Sequence, residues 1–324
     1  MNTYKINWLV ILLITFNCFC SSSTMNLSLK KKTINYKQFK EVYQKNAKFE
    51  HLGKFVKIVE LETSDNSLIG KIHSIIMNQN GDFLVTDSSS SKKVFLFSKD
   101  GKFIRSYGRL GNGGPGEYYN ILGAHFFEDE SVVLITPLKI MKFNKKGKLV
   151  KEVRKHFLSN YQIVWENKLF LHVTAYRNDQ VNRSSLAVYD SNLNRLDGIG
   201  KYDERYMKFK YIAKNPISKS NGKIIYFNYY DPIYHIADLK SKEISLLQLP
   251  NDNESKKNFW EKKRYTRNDT RLYSEIFHRL TFLYGFGNRI ISFSLCEEKN
   301  IYNNLLIDLK NKTVDVFPYN LSLM

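Results

Sequence analysis

The feature that most constrains the fold is a segment that recurs along the chain at a near-constant spacing. Each copy is an apolar strand followed by a polar turn, as in KVFLFSKDGK and KIMKFNKKGK. The anchor residues of five copies lie 46, 46, 47 and 70 positions apart, at Phe97, Phe143, Tyr189, Ile236 and Leu306. A period of roughly 40–50 residues is typical of the blades of a β-propeller, and the longer last interval leaves room for one insertion.

Further apolar runs flank each anchor segment, so each copy holds several strands. The run before the anchor occurs at 83–87, 132–136, 168–173, 223–228 and 289–294. The run after it occurs at 102–108, 148–153, 195–200, 242–248 and 313–318. An additional short strand begins three copies, at 72–78, 119–126 and 279–285. Four antiparallel strands per copy, joined by short polar turns, predict an all-β fold in which each copy is one propeller blade.

One strand-like segment, residues 55–62, is left over on the N-terminal side of the five clear copies. We expect it to pair with a C-terminal strand, because closure of the ring removes exposed sheet edges. A parallel α/β sheet is excluded, since no helix of about 10–15 residues alternates with the strands.

Residues 1–20 have the pattern of a secretory signal peptide. An apolar run from Trp8 to Phe16 follows one early charge and is too short to span a bilayer. Cys18 or Cys20 is a candidate lipidated first residue of a mature lipoprotein, with ordinary cleavage nearby as the alternative. We therefore expect a bacterial lipoprotein of the periplasm, outer membrane or cell surface, or else a secreted protein.

Two polar segments complete the domain organisation. Residues 21–50 form an N-terminal segment that we predict to be partly helical, because apolar residues recur at helical spacing within 35–45. Residues 51–324 form the propeller. Within it, residues 250–280 are polar and basic and interrupt the even spacing, so a helix-containing insertion is expected there.

Residues 108–119, GRLGNGGPGEYY, join the last strand of one copy to the first strand of the next. The pattern G-x-G-x-x-G occurs here, but a dinucleotide site needs a helix after it, and the residues that follow are poor helix formers. A structural corner fits better, because glycine permits positive φ and proline fixes one torsion. The residues expected to build it are Gly113, Gly114, Pro115, Gly116 and Glu117. The Glu117 carboxylate is expected to accept backbone hydrogen bonds from the neighbouring blade.

The stretch GRLGNGGPGEYYNI resembles the G-x-G-x-GPGEY signature of a family of bacterial six-bladed β-propellers, many of which carry lipoprotein signals. Residues 59–72, VELETSDNSLIGKI, are similar to the segment that enters the first blade of that family, and residues 95–108 match the strand between. The resemblance implies a six-bladed propeller with four-stranded antiparallel blades. Members are mostly of unassigned function, and the resemblance implies binding or scaffolding at the cell envelope.

The formal net charge of +19 raises the question of a nucleic-acid partner. The lysines, however, lie in hairpin turns of different copies, such as SKDGK, NKKGK, LKSK and LKNK, where charge protects sheet edges. No nucleic-acid partner is therefore expected, and contact with a membrane is expected only through the N-terminal lipid. A third cysteine, Cys296, would stand alone in the mature chain, so no disulfide framework is predicted.

Propellers bind ligands at the mouth of the central channel, where inner strands and connecting loops meet. The candidate ligand-binding residues are Arg109, Glu117, Tyr118, His125 and Asp231. The sequence favours a non-catalytic binding module without a cofactor and with a protein or glycan partner, because no H-E-x-x-H, paired C-x-x-C, EF-hand or G-x-S-x-G motif is present. The alternative is a metal-dependent hydrolase or lyase, lactonase-like or polysaccharide-active, in which Asp, Glu and His hold an ion such as Ca²⁺ at the channel mouth.

Overall fold

The regular structure of the described residues consists of β-strands. The computed structural model describes residues 10–11, 30–34, 40–43, 57–176, 183–203, 216–228, 233–248, 279–286, 289–296 and 301–318. None of these residues lies in a helix, which confirms the all-β prediction, and the expected helical additions do not occur in this part of the chain. Within the same ranges there is accordingly no helix of the length and hydropathy that a membrane span requires.

Four strands lie before the main sheets and are short: β1 (Val10–Ile11), β2 (Lys30–Ile34), β3 (Lys40–Tyr43) and β4 (Lys57–Ile58). The strands of sheet A are β5 (Ser74–Met77), β6 (Phe83–Asp87), β7 (Lys93–Phe97) and β8 (Phe103–Tyr107). Two two-residue strands follow in the connecting loop, β9 (Arg109–Leu110) and β10 (Glu117–Tyr118). The strands of sheet B are β11 (Gly123–Phe126), β12 (Val132–Ile135), β13 (Lys139–Phe143) and β14 (Leu149–Arg154).

Three further sheets complete the described chain. The strands of sheet C are β15 (Phe157–Trp165), β16 (Lys168–Tyr176), β17 (Ser184–Tyr189) and β18 (Arg195–Lys201). Those of sheet D are β19 (Ile217–Ser220), β20 (Lys223–Asn228), β21 (Ile233–Asp238) and β22 (Glu243–Gln248). Those of sheet E are β23 (Arg279–Phe286), β24 (Arg289–Cys296), β25 (Ile301–Asp308) and β26 (Thr313–Pro318).

Each of these sheets is an antiparallel meander in chain order, with each strand hydrogen-bonded to the next. The anchor residues of the sequence pattern all lie in the third strand of a sheet, in β7, β13, β17, β21 and β25. The strands predicted on either side of the anchors are confirmed. Near-continuous runs of apolar residues suit the second strands of sheets A, B and C, because both faces of these sheets are covered.

The N-terminal strands differ from the prediction. Residues 40–43 form β3, so the helix expected within 35–45 is wrong at these positions. Strand β2 adds in parallel to the outer edge of sheet D and β3 adds in parallel to the outer edge of sheet E. Backbone pairing with an open sheet edge outweighs the helical spacing of the side chains, since propensity is a weak prior. Strand β4 pairs with β1, not with the C-terminal strand as expected for residues 55–62.

Two other predictions concern residues that the structure does not describe. Residues 250–278 of the predicted insertion 250–280 are outside the described residues, and β23 begins at Arg279. Cys18 and Cys20 are also outside the described residues.

Hydrophobic clusters join each sheet to the next in chain order. Each cluster takes residues from two neighbouring sheets, among them Leu84 with Leu134, Val133 with Leu171, Phe170 with Ile224, and Phe227 with Ile290. The first strand of each sheet also lies against the first strand of the next, from β5 through β11, β15 and β19 to β23. The other face of sheet A is covered by residues of the segment 59–72. The core is therefore a series of layers between stacked sheets.

The strands end on two opposite sides of the sheets. The loop end consists of residues 70–73, 87–93, 107–123, 136–139, 154–157, 183–184 and 201–203. The hairpin end consists of the tight turns 78–82, 98–102, 127–131, 144–148, 166–167, 190–194, 221–222, 239–242 and 309–312. Hydrogen bonds join neighbouring sheets at each end: Lys139 Nζ donates to the Gly114 carbonyl at 3.0 Å, and the Glu128 N–H donates to Asn167 Oδ1 at 3.1 Å.

Candidate functional site

The glycine-rich loop between sheets A and B forms a small closed unit at the loop end. Strands β9 and β10 pair in parallel, with the Arg109 N–H donating to the Gly116 carbonyl and the Gly111 N–H donating to the Tyr118 carbonyl, both at 3.0 Å. Gly113 and Gly116 have φ of +114° and +72°, which disfavours any side chain there. The loop therefore reverses on itself between the two sheets.

Glu117 is held inside this loop. Its Oε2 accepts the Gly114 N–H at 3.0 Å and its Oε1 lies 3.0 Å from Arg109 Nη2. The Gly114 N–H, with the Arg109 guanidinium adding to it, holds the pKa of Glu117 below its usual range. The described contacts of the Glu117 carboxylate are thus within its own loop, whereas the sequence predicts donors from the neighbouring blade.

The neighbouring sheet is instead contacted through Lys139 and Glu152 of sheet B. Lys139 Nζ lies 3.0 Å from Glu152 Oε2 and 3.0 Å from the Gly114 carbonyl oxygen, and Glu152 also accepts the Gly116 N–H. Both side chains are largely buried, so these charge-assisted bonds clamp the loop onto sheet B. Sequence reasoning missed this pair because its members lie on different strands, 20 and 33 residues after Tyr119 at the end of the loop.

Tyr118 is part of the packing between sheets A and B. It is 2% exposed and belongs to the same hydrophobic cluster as Tyr107 and Ala124. Its hydroxyl donates to the Tyr107 carbonyl at 3.4 Å, and burial raises the pKa of Tyr118 to about 12. Its ring is therefore not available to a ligand, whereas Tyr119, which follows it, is 55% exposed.

Asp87 organises the adjacent part of the loop end. Its fully buried carboxylate accepts N–H groups from Gly70, Lys71, Ser89, Ser90 and Ser91, at 2.8 to 3.1 Å. Burial alone would raise the pKa of Asp87, but these donors together hold it well below its usual range. The carboxylate thereby ties the hairpin after β6 to the segment that covers sheet A.

His125 belongs to a second group of polar side chains, on the first strands of the sheets. Burial lowers the pKa of His125 to about 4, the nearby Lys219 amine acts in the same direction, and a hydrogen bond with the Gln162 backbone opposes them. Gln162 Nε2 donates to the Leu122 carbonyl and Lys219 Nζ donates to the Val164 carbonyl, both at 3.0 Å. These bonds join sheet C to sheet B and sheet D to sheet C.

The candidate residues therefore fall in different places. Arg109 and Glu117 form an ion pair in the loop, Tyr118 lies in the core beneath it, and His125 lies on β11 among the first strands. Asp231 is outside the described residues. Among the residues that the structure describes, no group of three or more His, Cys, Asp or Glu side chains could hold a metal ion.

One of the similar solved structures, the first described below, supports the fold. A protein from Bacteroides fragilis that is named as an exported protein matches with a TM-score of 0.63 at 14% identity. The match covers 86% of this chain and 79% of that protein. A protein of unknown function from Bacteroides caccae matches with a TM-score of 0.42 at 12% identity over 83% and 92% of the two chains. PorZ, a surface component of the type-IX secretion system of Porphyromonas gingivalis, matches with a TM-score of 0.43 at 8% identity over 77% of this chain and 28% of its own.

Sequence comparison gives a family but no curated relative. No curated protein matches the chain. The domain of unknown function DUF4934 matches residues 32–323, which include the four-stranded units of the five sheets, the loop between sheets A and B, strands β3 and β4, and part of β2. The chain therefore belongs to the DUF4934 family.

Proposed function

We propose that this protein is an exported, envelope-anchored β-propeller of six blades that acts as a non-catalytic binding module. The observation that carries the proposal is the stacking of five antiparallel sheets in chain order, each with its first strand against the first strand of the next. In a propeller, such first strands surround the central channel and the sheets radiate from it.

In this proposal, the sixth blade lies on the face of sheet A that is turned away from sheet B. The segment 59–72 runs along this face from the hairpin end, where the Glu62 N–H donates to the Gly101 carbonyl at 2.8 Å, to the loop end, where the Gly70 N–H donates to Asp87 at 2.8 Å. It thus follows the course of a strand in a further sheet. Val59, Leu61, Ile69 and Ile72 bury the apolar side chains of sheet A.

A binding role without catalysis agrees with the chemistry of the described polar groups. The buried carboxylate of Asp87 and the pairs Arg109–Glu117 and Lys139–Glu152 are engaged in holding loops and sheets together. His125 is neutral at neutral pH, and the groups that act on its pKa are the Lys219 amine and the Gln162 backbone. Loops fixed on a rigid scaffold are the usual place for recognition.

Export and anchoring are supported by the signal-like residues 1–20 and by the exported protein of B. fragilis with the same fold. The test is to express the full chain in a Bacteroides host supplied with an alkyne-tagged fatty acid, together with Cys18→Ser and Cys20→Ser variants. We expect lipid label and membrane association in the parent chain, and loss of both in one of the two variants. Label-free protein in the culture medium would contradict anchoring.

A further inference from the structure

We propose that the loop end of the sheets is the interaction surface of this protein and that it takes an acidic polypeptide partner. This inference rests on the proposed binding function and names the surface and the partner class. Three observations carry it: the sign of the exposed charges at the two ends, the exposed apolar side chains around the glycine-rich loop, and the point at which the N-terminal segment enters the fold.

The exposed charges at the loop end are all positive in the ranges that the structure describes. They belong to Lys71, Lys93, Arg109, Arg154 and Lys201. The acidic side chains of these ranges are not exposed: Asp87 is buried, Glu117 is paired with Arg109, and Asp203 is half-buried.

The hairpin end has mixed charge instead. Its described turns carry nine exposed lysines, but also seven exposed or half-buried acids: Asp82, Asp100, Glu128, Asp129, Glu130, Glu166 and Asp190. By the same measure, the described part of the loop end carries eight cations and only two acids. Since complementary potentials steer association and exclude wrong partners, the loop end is the side that favours an acidic partner.

Apolar side chains are exposed around the loop on the same side. Leu110, Tyr119 and Leu138 are 48%, 55% and 45% exposed, and the bond from Lys139 Nζ to the Gly114 carbonyl brings the turn that holds Leu138 against the loop. A surface that combines cations with leucine and tyrosine side chains matches a polypeptide that carries acidic and apolar residues, and it matches a uniformly hydrophilic glycan less well.

The N-terminal segment enters from the opposite side. Lys30, the first residue of β2, pairs with Glu243, which follows the turn 239–242 of the hairpin end. Lys40, the first residue of β3, pairs with Thr313, which follows the turn 309–312. Residues 21–29 reach at most about 30 Å when fully extended. A lipid at Cys18 or Cys20 would therefore hold the hairpin end near the membrane and leave the loop end facing away from it.

The test compares two variants of the mature protein, each of which loses four positive charges. Both variants and the parent protein are purified from the cell fraction in which the mature protein is found. The loop-end variant carries Lys71→Gln, Lys93→Gln, Arg154→Gln and Lys201→Gln. The hairpin-end control carries Lys102→Gln, Lys146→Gln, Lys240→Gln and Lys310→Gln. The probe is a fluorescent peptide with three repeats of Glu-Glu-Leu-Phe, and fluorescence anisotropy measures its affinity.

We expect the loop-end variant to bind this peptide about tenfold more weakly and the control to stay within about twofold of the parent, with binding weakened by salt. A third variant, Leu110→Ser with Tyr119→Ser, should bind the peptide about fivefold more weakly. It should not change binding of a counterpart peptide in which serine replaces leucine and phenylalanine.

Equal losses in the two charge variants would overturn the proposal, as would unchanged binding in the loop-end variant. Tighter binding of an oligouronate than of the peptide would assign the surface to an acidic glycan and would also overturn it. Absence of lipid on Cys18 and Cys20 would contradict the proposed anchoring alone, because the binding measurement does not depend on the lipid.

Discussion

At the residue scale, the buried His125 makes stability depend on pH. Its pKa is about 4 in the folded protein against an ordinary value of 6.5, so the unfolded chain takes up the proton first as pH falls. The stabilising effect is complete above pH 6.5 and is lost between 6.5 and 4, which amounts to about 2 kcal/mol by pH 5. Urea unfolding at pH 7.5 and pH 5 should show this decline in the parent and a smaller one in His125→Gln, while the exposed His73→Gln should retain the parental decline.

Asp87 gives a second prediction for a single residue. In Asp87→Asn, an amide NH₂ replaces one of two buried oxygens that together accept five backbone N–H groups, so at least two of these N–H groups lose their acceptor. We expect the free energy of unfolding to fall by about 2–3 kcal/mol at pH 7, measured by urea titration. Asp100→Asn, on an exposed turn, should change it by less than about 0.5 kcal/mol. Equal effects of the two substitutions would contradict this role of Asp87.

At the scale of elements, the contact between the segment 59–62 and the turn after β7 depends on one glycine. Gly101 has φ of +82°, and a Cβ there would lie 1.8 Å from the Glu60 carbonyl oxygen. Gly113 has φ of +114° with no atom within 4 Å of such a Cβ, so it is a matched control for backbone strain alone. We expect Gly101→Ala to lower the free energy of unfolding by about 3 kcal/mol or more and Gly113→Ala by about 1 kcal/mol. Similar losses in a urea titration would mean that the segment does not pack as described.

The two glutamates that hold the glycine-rich loop, Glu152 and Glu117, should differ in their effect on stability. Glu152→Gln removes the charge that pairs with Lys139 in a largely buried setting, and should destabilise the protein by about 1 kcal/mol. Glu117→Gln should destabilise it less, because its partner Arg109 is 71% exposed. A double-mutant cycle with Lys139→Met should give coupling to Glu152 and none to Glu117. Coupling of Lys139 to Glu117 would contradict this assignment.

The sequence predicted most elements because their pattern is local. Apolar runs separated by Gly, Lys and Asp turns identified the second, third and fourth strands of each sheet. The first strands of sheets C and D were missed. The turn Glu166–Asn167 has positive φ at both residues but lacks the usual glycine, and β19 is only four residues long. Strands β2 and β3 were missed for a different reason, since their partners lie about 200 or more residues later and only the folded sheet supplies an edge.

At the scale of the whole molecule, the candidate site was only partly accessible from the sequence. The Arg109–Glu117 pair could be found because its members share one short loop. Three other features depend on how neighbouring sheets align: the Lys139–Glu152 clamp, the His125–Lys219 proximity, and the uniform sign of the exposed charges in the described part of the loop end. Net charge alone concealed this last feature, because lysines of both ends contribute to it.

The N-terminal strands give a prediction for the molecule as a unit. Strands β2 and β3 cover the outer edges of β22 and β26, so a chain lacking residues 1–43 would expose two sheet edges, whereas a chain lacking residues 1–29 would keep both covered. Open edges template pairing between molecules. We therefore expect the shorter chain to unfold at lower urea and to self-associate in analytical ultracentrifugation, and the longer chain to remain monomeric with the midpoint of the parent. If both truncated chains behaved alike, the two strands would not be part of the cooperative fold, and the entry of the chain at the hairpin end would lose its main support.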